Sequence, residues 1–231
     1  MSGFESIHHR NEVLTGIGDI SATSRLRVVG ADGGAILVDV TAGVFLPTGH
    51  TEPDPFVLGA SGQAHQHMFF GNGTFDPQVG AQAVWSAGEY RTSGYGYARL
   101  PLSENSHGFR GPRLWAAGVA VDRSVGTPQF RVMIGAGTFI EQPATWSGRT
   151  SENSGRTSVV GRFAFFYLPT ASWQWSLGID VPKVVASVGG QLEMPLMVRL
   201  SVNHQLAAPW AKSDPTVAPA AADATPTSGG D

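Results

Sequence analysis

The sequence predicts an all-β fold, an antiparallel up-and-down β-barrel whose strands cross a membrane. Three observations lead to this prediction. Apolar and polar residues alternate with a period of two in one segment after another, which is typical of strands with two unlike faces. These segments are longer than most globular strands, and short and long connections alternate between them. Charged residues make up only 14% of the chain, well below the usual quarter.

The alternation is clearest at the two ends of the predicted sheet. The apolar positions are Ile20, Ala22, Leu26 and Val28 in the first strand and Leu192, Met194, Leu196, Val198, Leu200 and Val202 in the last. The opposite faces carry charged residues, among them Arg25, Arg27 and Arg199. Because a charged side chain faces lipid only at high cost, we expect these arginines to face a polar lumen.

Other segments repeat the pattern. Strong alternation covers 36–46, 129–141 and 172–181, and weaker strands are predicted over 79–89, 94–101, 113–122 and 158–168. The total is about nine strands, and a tilted strand of about 9–11 residues suffices to cross a bilayer. Aromatic residues at predicted strand ends or middles suggest an interfacial girdle. They are Trp85, Trp115, Phe166, Tyr167, Trp173 and Trp175.

The connections give a second, independent signal. In chain order they cover 30–34, 48–78, 90–93, 102–112, 123–128, 142–157, 169–171 and 183–190, and they alternate between short and long. Outer-membrane barrels combine short periplasmic turns with longer extracellular loops. The alternation therefore predicts that the last strand ends in the periplasm and that the first strand starts outside the cell.

This topology implies an odd number of strands, whereas bacterial single-chain barrels have even numbers. We therefore expect at least one strand upstream of this sequence and regard the chain as N-terminally truncated. Residues 6–11 are polar and do not alternate, so residues 1–14 are predicted to be the remnant of an extracellular loop. They also lack the apolar segment of a signal peptide.

The composition bounds the domains and the function. Residues 15–206 are predicted to form the barrel, and residues 207–231, rich in Ala, Pro, Thr and Ser, a disordered periplasmic tail. A net charge of −3 without a basic cluster argues against a nucleic-acid partner. The absence of Cys excludes thiolate catalysis, cysteine zinc sites and disulfides.

Three motifs, in order along the chain, carry a family resemblance. They are residues 16–20 (GIGDI) with Arg25, residues 46–49 (LPTG), and residues 71–77 (GNGTFDP). They resemble motifs of an outer-membrane transporter family of the phenol-degradation MetA-pathway type. Residues 190–206 also resemble the closing strand of that family. The likeness covers most of 15–206 and is sharpest over 16–80. The chain departs from the family in lacking upstream strands and in lacking a terminal aromatic residue.

The resemblance implies a Gram-negative outer-membrane barrel of about a dozen strands that transports a small solute, either an organic compound or a metal ion. It carries over no catalytic residue. The sequence also has no Gly-x-Ser-x-Gly elbow and no P-loop. We therefore expect a porin-like channel or transporter, not an enzyme, without a cofactor. Its expected partners are membrane lipid and a small solute. The sequence leaves open whether the chain forms a homo-oligomer.

Ten charged residues are candidates for the lumen. They are Asp19, Arg25, Arg27, Asp39, Arg99, Arg131, Arg162, Asp180, Glu193 and Arg199. Such residues can line a pore and set its selectivity. They can equally form salt bridges that fill a closed barrel, and the sequence leaves both interpretations open.

Histidines in the longest loop suggest a metal site. His65 and His67 point the same way on an extended segment, Met68 would suit copper(I), and His50 lies in the same loop. An ordinary polar loop that happens to contain His is the competing interpretation. Two alternatives to a channel follow: an outer-membrane barrel that binds copper or zinc or is purely structural, and a soluble ligand-binding β-barrel.

Overall fold

One antiparallel sheet of nine strands dominates the structure, a computed structural model. The described residues are 15–31, 34–67, 69–170, 172–190 and 193–204. The predicted loop remnant, the predicted tail and the candidate ligand Met68 lie outside them. Within these ranges no helix is long and apolar enough to span a bilayer.

The elements follow one another as a simple meander. In chain order they are β1 (Ile20–Val29), β2 (Ile36–Leu46), α1 (Pro55–Ala60), β3 (Asp76–Ala87), β4 (Tyr90–Arg99), β5 (Phe109–Arg110), β6 (Leu114–Val125), β7 (Thr127–Glu141), β8 (Thr145–Trp146), β9 (Arg149–Thr150), β10 (Arg156–Thr170), β11 (Trp173–Ser187) and β12 (Met197–His204). The large sheet has the order β1-β2-β3-β4-β6-β7-β10-β11-β12, and β5, β8 and β9 form a separate small sheet. The predicted all-β, antiparallel up-and-down fold class is confirmed. The sheet is not closed: among the described residues, β1 pairs with β2 alone and β12 with β11 alone.

The alternation of short and long connections is also present. The short ones cover 30–35, 88–89, residue 126 and 171–172, and the long ones cover 47–75, 100–113, 142–155 and 188–196. Gly126 alone joins β6 to β7 and has a φ of 72°, which a residue with a Cβ rarely adopts. We call the two ends of the sheet the turn end and the loop end.

The two faces of the sheet differ in polarity. Residues directly opposite each other on paired strands point to the same side, so Asp39 of β2 shares a face with Gln82 of β3 and Tyr95 of β4. We call this the inner face. Its charged and polar side chains are largely buried, whereas apolar residues of the outer face, such as Val119 and Ile134, are exposed.

The outer face has almost no charge. Among its described positions the charged residues are Arg123, which pairs with Glu89 in the β3–β4 turn at 3.1 Å, and Lys183, whose Nζ lies 3.8 Å from a carboxylate oxygen of Glu193. Valine, isoleucine, leucine and alanine hold most of the remaining outer positions of the nine strands. The face is therefore an apolar band, interrupted by charge only toward its two ends.

Aromatic side chains gather on the outer face at the turn end. They are Trp85, Tyr90, Phe130, Tyr167, Trp173 and Trp175. Phe130 stacks on Tyr167 with 4.9 Å between ring centroids, and Trp173 stacks on His204 at 4.3 Å. Of the other predicted girdle residues, Trp115 lies at the loop end and Phe166 faces inward. A ring of aromatics at one end of an apolar band is typical of a membrane interface.

The long connections pack against one another at the loop end. Asp19 accepts hydrogen bonds from the backbone N–H groups of Gly49 (2.9 Å) and Asn72 (2.7 Å), which ties the first long loop to the start of β1. Trp146 of β8 is buried, and its ring lies 6.1 Å from that of Phe69 and 4.8 Å from that of Phe109. These contacts join three long loops into one cap.

Candidate functional site

The inner face carries more arginines than carboxylates. The arginines of its strands are Arg25, Arg27, Arg91, Arg99, Arg131, Arg156, Arg162 and Arg199, and the carboxylates are Asp39, Asp76, Asp122, Glu141 and Asp180. Eight arginines against five carboxylates leave an excess of three positive charges on the described inner face. In the predicted barrel these residues would face the lumen, and we call this set the lumen wall.

One cluster of the lumen wall lies toward the turn end of β1 and β2. The carboxylate of Asp39 is buried and receives both Arg25, whose Nη2 lies 2.7 Å from Oδ2, and Arg27, whose Nε bonds Oδ1. Arg25 also donates to the Oε1 atom of Gln82 at 3.2 Å. Arg25 and Arg27 share a face because they are two residues apart in one strand. One carboxylate thus holds two guanidinium groups.

A second cluster repeats this arrangement on β4, β6 and β7. Asp122 is buried and accepts from the Nε atom of Arg91 at 2.8 Å, while Arg131 binds its other oxygen. Arg131 also donates to the Oγ atom of Ser124 at 3.0 Å. The pairing register brings the three residues together, because Arg91 is directly opposite Asp122 and Arg131 is opposite Ser124.

The third cluster, formed by Asp180, Arg162 and Arg199, is less completely bonded. Asp180 is buried and accepts from the Nη2 atom of Arg199 at 3.1 Å, but the Nε atom of Arg162 lies 3.9 Å away, beyond hydrogen-bond range. Arg162 instead donates from Nη1 to the hydroxyl of Tyr95 at 3.0 Å. Among the described residues, the buried Nε atoms of Arg162 and Arg199 bond to nothing.

Two carboxylates at the loop end have one arginine each. Asp76, the first residue of β3, is fully buried and lies 3.0 Å from the Nη2 atom of Arg99. Its other donors are Nδ2 of Asn72 at 2.8 Å and the hydroxyl of Thr74. Arg156 pairs with Glu141 at 3.5 Å. The excess of positive charge therefore comes from the three clusters with two arginines.

Most of the predicted lumen residues are on the inner face, but two are elsewhere. Asp19 precedes β1 and anchors the first long loop, as described above. Glu193 precedes β12, which begins only at Met197, and it pairs with Lys183 of the outer face. Pro195 explains the late start, since it has no N–H to give to a strand ladder.

Five charged residues of the lumen wall were not among the predicted ones. They are Asp76, Arg91, Asp122, Glu141 and Arg156. Arg91 fell in a predicted connection, whereas β4 begins at Tyr90. The others lie at or near strand ends, where alternation is weakest, although Asp122 and Glu141 continue the alternation of their own strands. Asp122 and Glu141 already lie inside the predicted strands 113–122 and 129–141, whereas Asp76 and Arg156 precede the predicted strands 79–89 and 158–168 by three and two residues.

The structure brings two of the four candidate metal ligands together. The Nε2 atoms of His65 and His67 lie 3.1 Å apart, and the Nδ1 atom of His65 lies 3.0 Å from the carbonyl oxygen of Gln63. His65 is buried, whereas His50 is exposed and lies 3.7 Å from Glu52. Among the described residues, no third His, Cys, Asp or Glu completes a group that could hold a metal ion.

The comparisons with known proteins bear on the fold. No protein-family model and no curated protein matches the sequence. Among solved structures, the chain is similar to the crystal structure of an outer membrane channel from Pseudomonas putida F1, with a TM-score of 0.59 and 16% identity. The match covers 82% of this chain, which spans 66% of the length of the channel's chain. The fold is thus one that an outer-membrane channel also adopts.

Proposed function

We propose that the chain forms an outer-membrane β-barrel through which a small solute crosses the membrane. The observation that carries this proposal is the inverted distribution of burial. Charged residues such as Asp39, Asp122 and Arg162 are buried on the inner face, while large apolar residues of the outer face are exposed. A soluble protein buries its apolar residues instead, whereas a transmembrane barrel turns them toward lipid.

The outer membrane is the location that best fits this surface. Strands cross membranes only in closed barrels, since every backbone group in lipid needs a partner. The outer edges of β1 and β12 are unpaired among the described residues, and in a nine-stranded antiparallel meander these two strands run in the same direction. We therefore propose that at least one further strand lies between β1 and β12 and closes the barrel with antiparallel pairing throughout. The group of aromatic residues on the outer face at the turn end then lies at the periplasmic interface of the membrane. The similar fold of an outer membrane channel supports this proposal.

The lumen wall is the proposed route of the solute. A barrel lined with charged side chains favours solutes with polar or charged groups over purely apolar ones. The resemblance to the MetA-pathway type of transporter points to a small organic compound or a metal ion. We propose that the loop over 47–75, which Asp19 ties to the start of β1, gates the mouth of the barrel or folds into it.

Conductance across a planar bilayer tests the proposal. The purified chain, refolded in detergent and added to a planar bilayer, should give discrete current steps and should migrate differently on a gel before and after boiling. Boiled protein is the control, because it shares the composition and lacks the fold. A chain that is monodisperse and monomeric in plain buffer without detergent would contradict the proposal and favour the soluble ligand-binding barrel.

A second candidate function, binding of copper or zinc, is favoured by the pair of His65 and His67. Their Nε2 atoms are close enough to share one metal ion after a small adjustment. An Nδ1–H group of His65 that donates to the carbonyl of Gln63 would leave Nε2 as the metal ligand, the arrangement common around zinc and copper. The site would be a partial one that needs further ligands from water or from solute.

Calorimetric titration with Zn²⁺ and Cu²⁺ tests this second function. We expect the double variant His65→Ala/His67→Ala to bind either ion more than about tenfold more weakly than the unmodified chain. The matched control is His50→Ala, which removes an exposed histidine from the same loop and should leave the affinity unchanged. Equal affinity in the double variant and the unmodified chain would exclude a role for the pair.

A further inference from the structure

The positive and negative charges of the lumen wall do not cancel. Asp39, Asp122 and Asp180 each lie between two arginines, so each cluster retains one positive charge. The charge of the whole chain has the opposite sign, −3. The positive excess is therefore local to the inner face. Fields in a narrow, low-dielectric passage are focused and act on any ion that passes.

The cluster of Asp180 differs from the other two in its unused donors. In the first two clusters both arginines hydrogen-bond the carboxylate. In the third, the Nε–H groups of Arg162 and Arg199 have no acceptor among the described residues, and both nitrogens are inaccessible to solvent. A buried charged donor without an acceptor is costly, and an anion that reached these groups through a movement of the partly exposed Arg199 side chain would relieve that cost.

The position of the cluster suits a passing solute. Arg162 and Asp180 are directly opposite each other near the middle of β10 and β11, away from both ends of the sheet. Arg199 extends from β12, and its side chain is 38% exposed, against 7% for the side chain of Arg162. Arg162 is held from the other side by the hydroxyl of Tyr95. One arginine is thus fixed and the other accessible.

We infer that Arg162 and Arg199, held by Asp180, form a binding site for a small carboxylate, through which the lumen selects anions. Guanidinium groups present paired N–H donors that match the two oxygens of a carboxylate. Asp180 keeps the two arginines from repelling each other and leaves one positive charge for the ligand. The selectivity part rests on the proposed channel function, whereas the binding site itself does not.

Reversal potentials across a KCl gradient test the selectivity. The unmodified chain should favour chloride over potassium, and Arg199→Gln should lower the permeability ratio of chloride to potassium about fivefold. Asp180→Asn removes a negative charge from the same cluster and should raise that ratio. Effects of opposite sign from two neighbouring substitutions are not expected from a general loss of structure.

Thermal unfolding in detergent tests the binding site without requiring conductance. Replacing chloride by acetate at constant ionic strength should raise the unfolding temperature of the unmodified chain by about 3 °C. Arg199→Gln should lose this shift. The matched control is Lys183→Gln, which removes one positive charge from the outer face of the neighbouring strand β11 and should keep both the shift and the selectivity.

The two experiments separate the failure of this inference from the failure of the proposed function. Current steps with a preference for potassium, or an acetate shift that Arg199→Gln retains, would overturn the inference and leave the channel intact. A silent bilayer together with an acetate shift that depends on Arg199 would support the binding site and contradict the channel. Chloride selectivity that is lost in Arg199→Gln supports both.

Discussion

An arginine at position 134 is expected to lower the free energy of unfolding in a bilayer by about 2–4 kcal/mol. Ile134 lies at the middle of the fifteen-residue strand β7 on the outer face and is 69% exposed. In a barrel that spans the membrane this position faces the centre of the bilayer, where a guanidinium has neither water nor a counterion. The measurement is denaturant titration of the Ile134→Arg variant refolded into lipid vesicles.

The same substitution outside the sheet provides the matched control. Val57 of α1 is also apolar and 64% exposed, but it lies in a long loop at the loop end. Val57→Arg should therefore change the free energy of unfolding by less than about 0.5 kcal/mol. If Ile134→Arg were as well tolerated as Val57→Arg, the exposed outer face would be an ordinary aqueous surface, and the membrane assignment would be wrong.

The outer face could be predicted from the sequence because its signal is local. Two successive residues of a strand point to opposite sides, so a period of two is visible without any knowledge of the neighbouring strands. Val38 and Val40, for example, reveal one face of β2 by themselves. The number of strands and the alternation of connections followed from the same pattern. The short strands β5, β8 and β9 could not be found in this way, because two residues cannot show a period.

The clusters of the lumen wall could be predicted only in part, because they depend on register. The sequence shows that Arg131 points inward, but not that it binds Asp122. This contact depends on the pairing register of β6 and β7, which the single-residue turn at Gly126 sets. The proximity of His65 and His67 could be predicted from the sequence, since both residues lie on one short segment. The anchoring role of Asp19 was not, because its partners Gly49 and Asn72 lie in a folded loop without periodicity.

Removal of the carboxylate at position 76 is expected to lower the free energy of unfolding by about 3–5 kcal/mol. Asp76 is fully buried and ion-paired with Arg99, which also lies over the ring of Phe45 at 4.4 Å. In the Asp76→Ala variant the guanidinium of Arg99 would keep its charge without a partner, and Asn72 would lose an acceptor. Denaturant titration in detergent or lipid vesicles measures the loss.

The loss of stability in Asp76→Ala should come from the unpaired charge of Arg99 and not from the missing side chain alone. The double variant Asp76→Ala/Arg99→Ala removes both charges, so it should recover part of the stability lost in Asp76→Ala. The exposed pair of Glu89 and Arg123 is the matched control, because an ion pair in water contributes little, and Glu89→Ala should cost less than about 1 kcal/mol. Equal losses in Asp76→Ala and Glu89→Ala would mean that water reaches the loop end of the lumen wall and solvates Arg99. The charges there would then be part of an open aqueous passage and not a structural bond between β3 and β4.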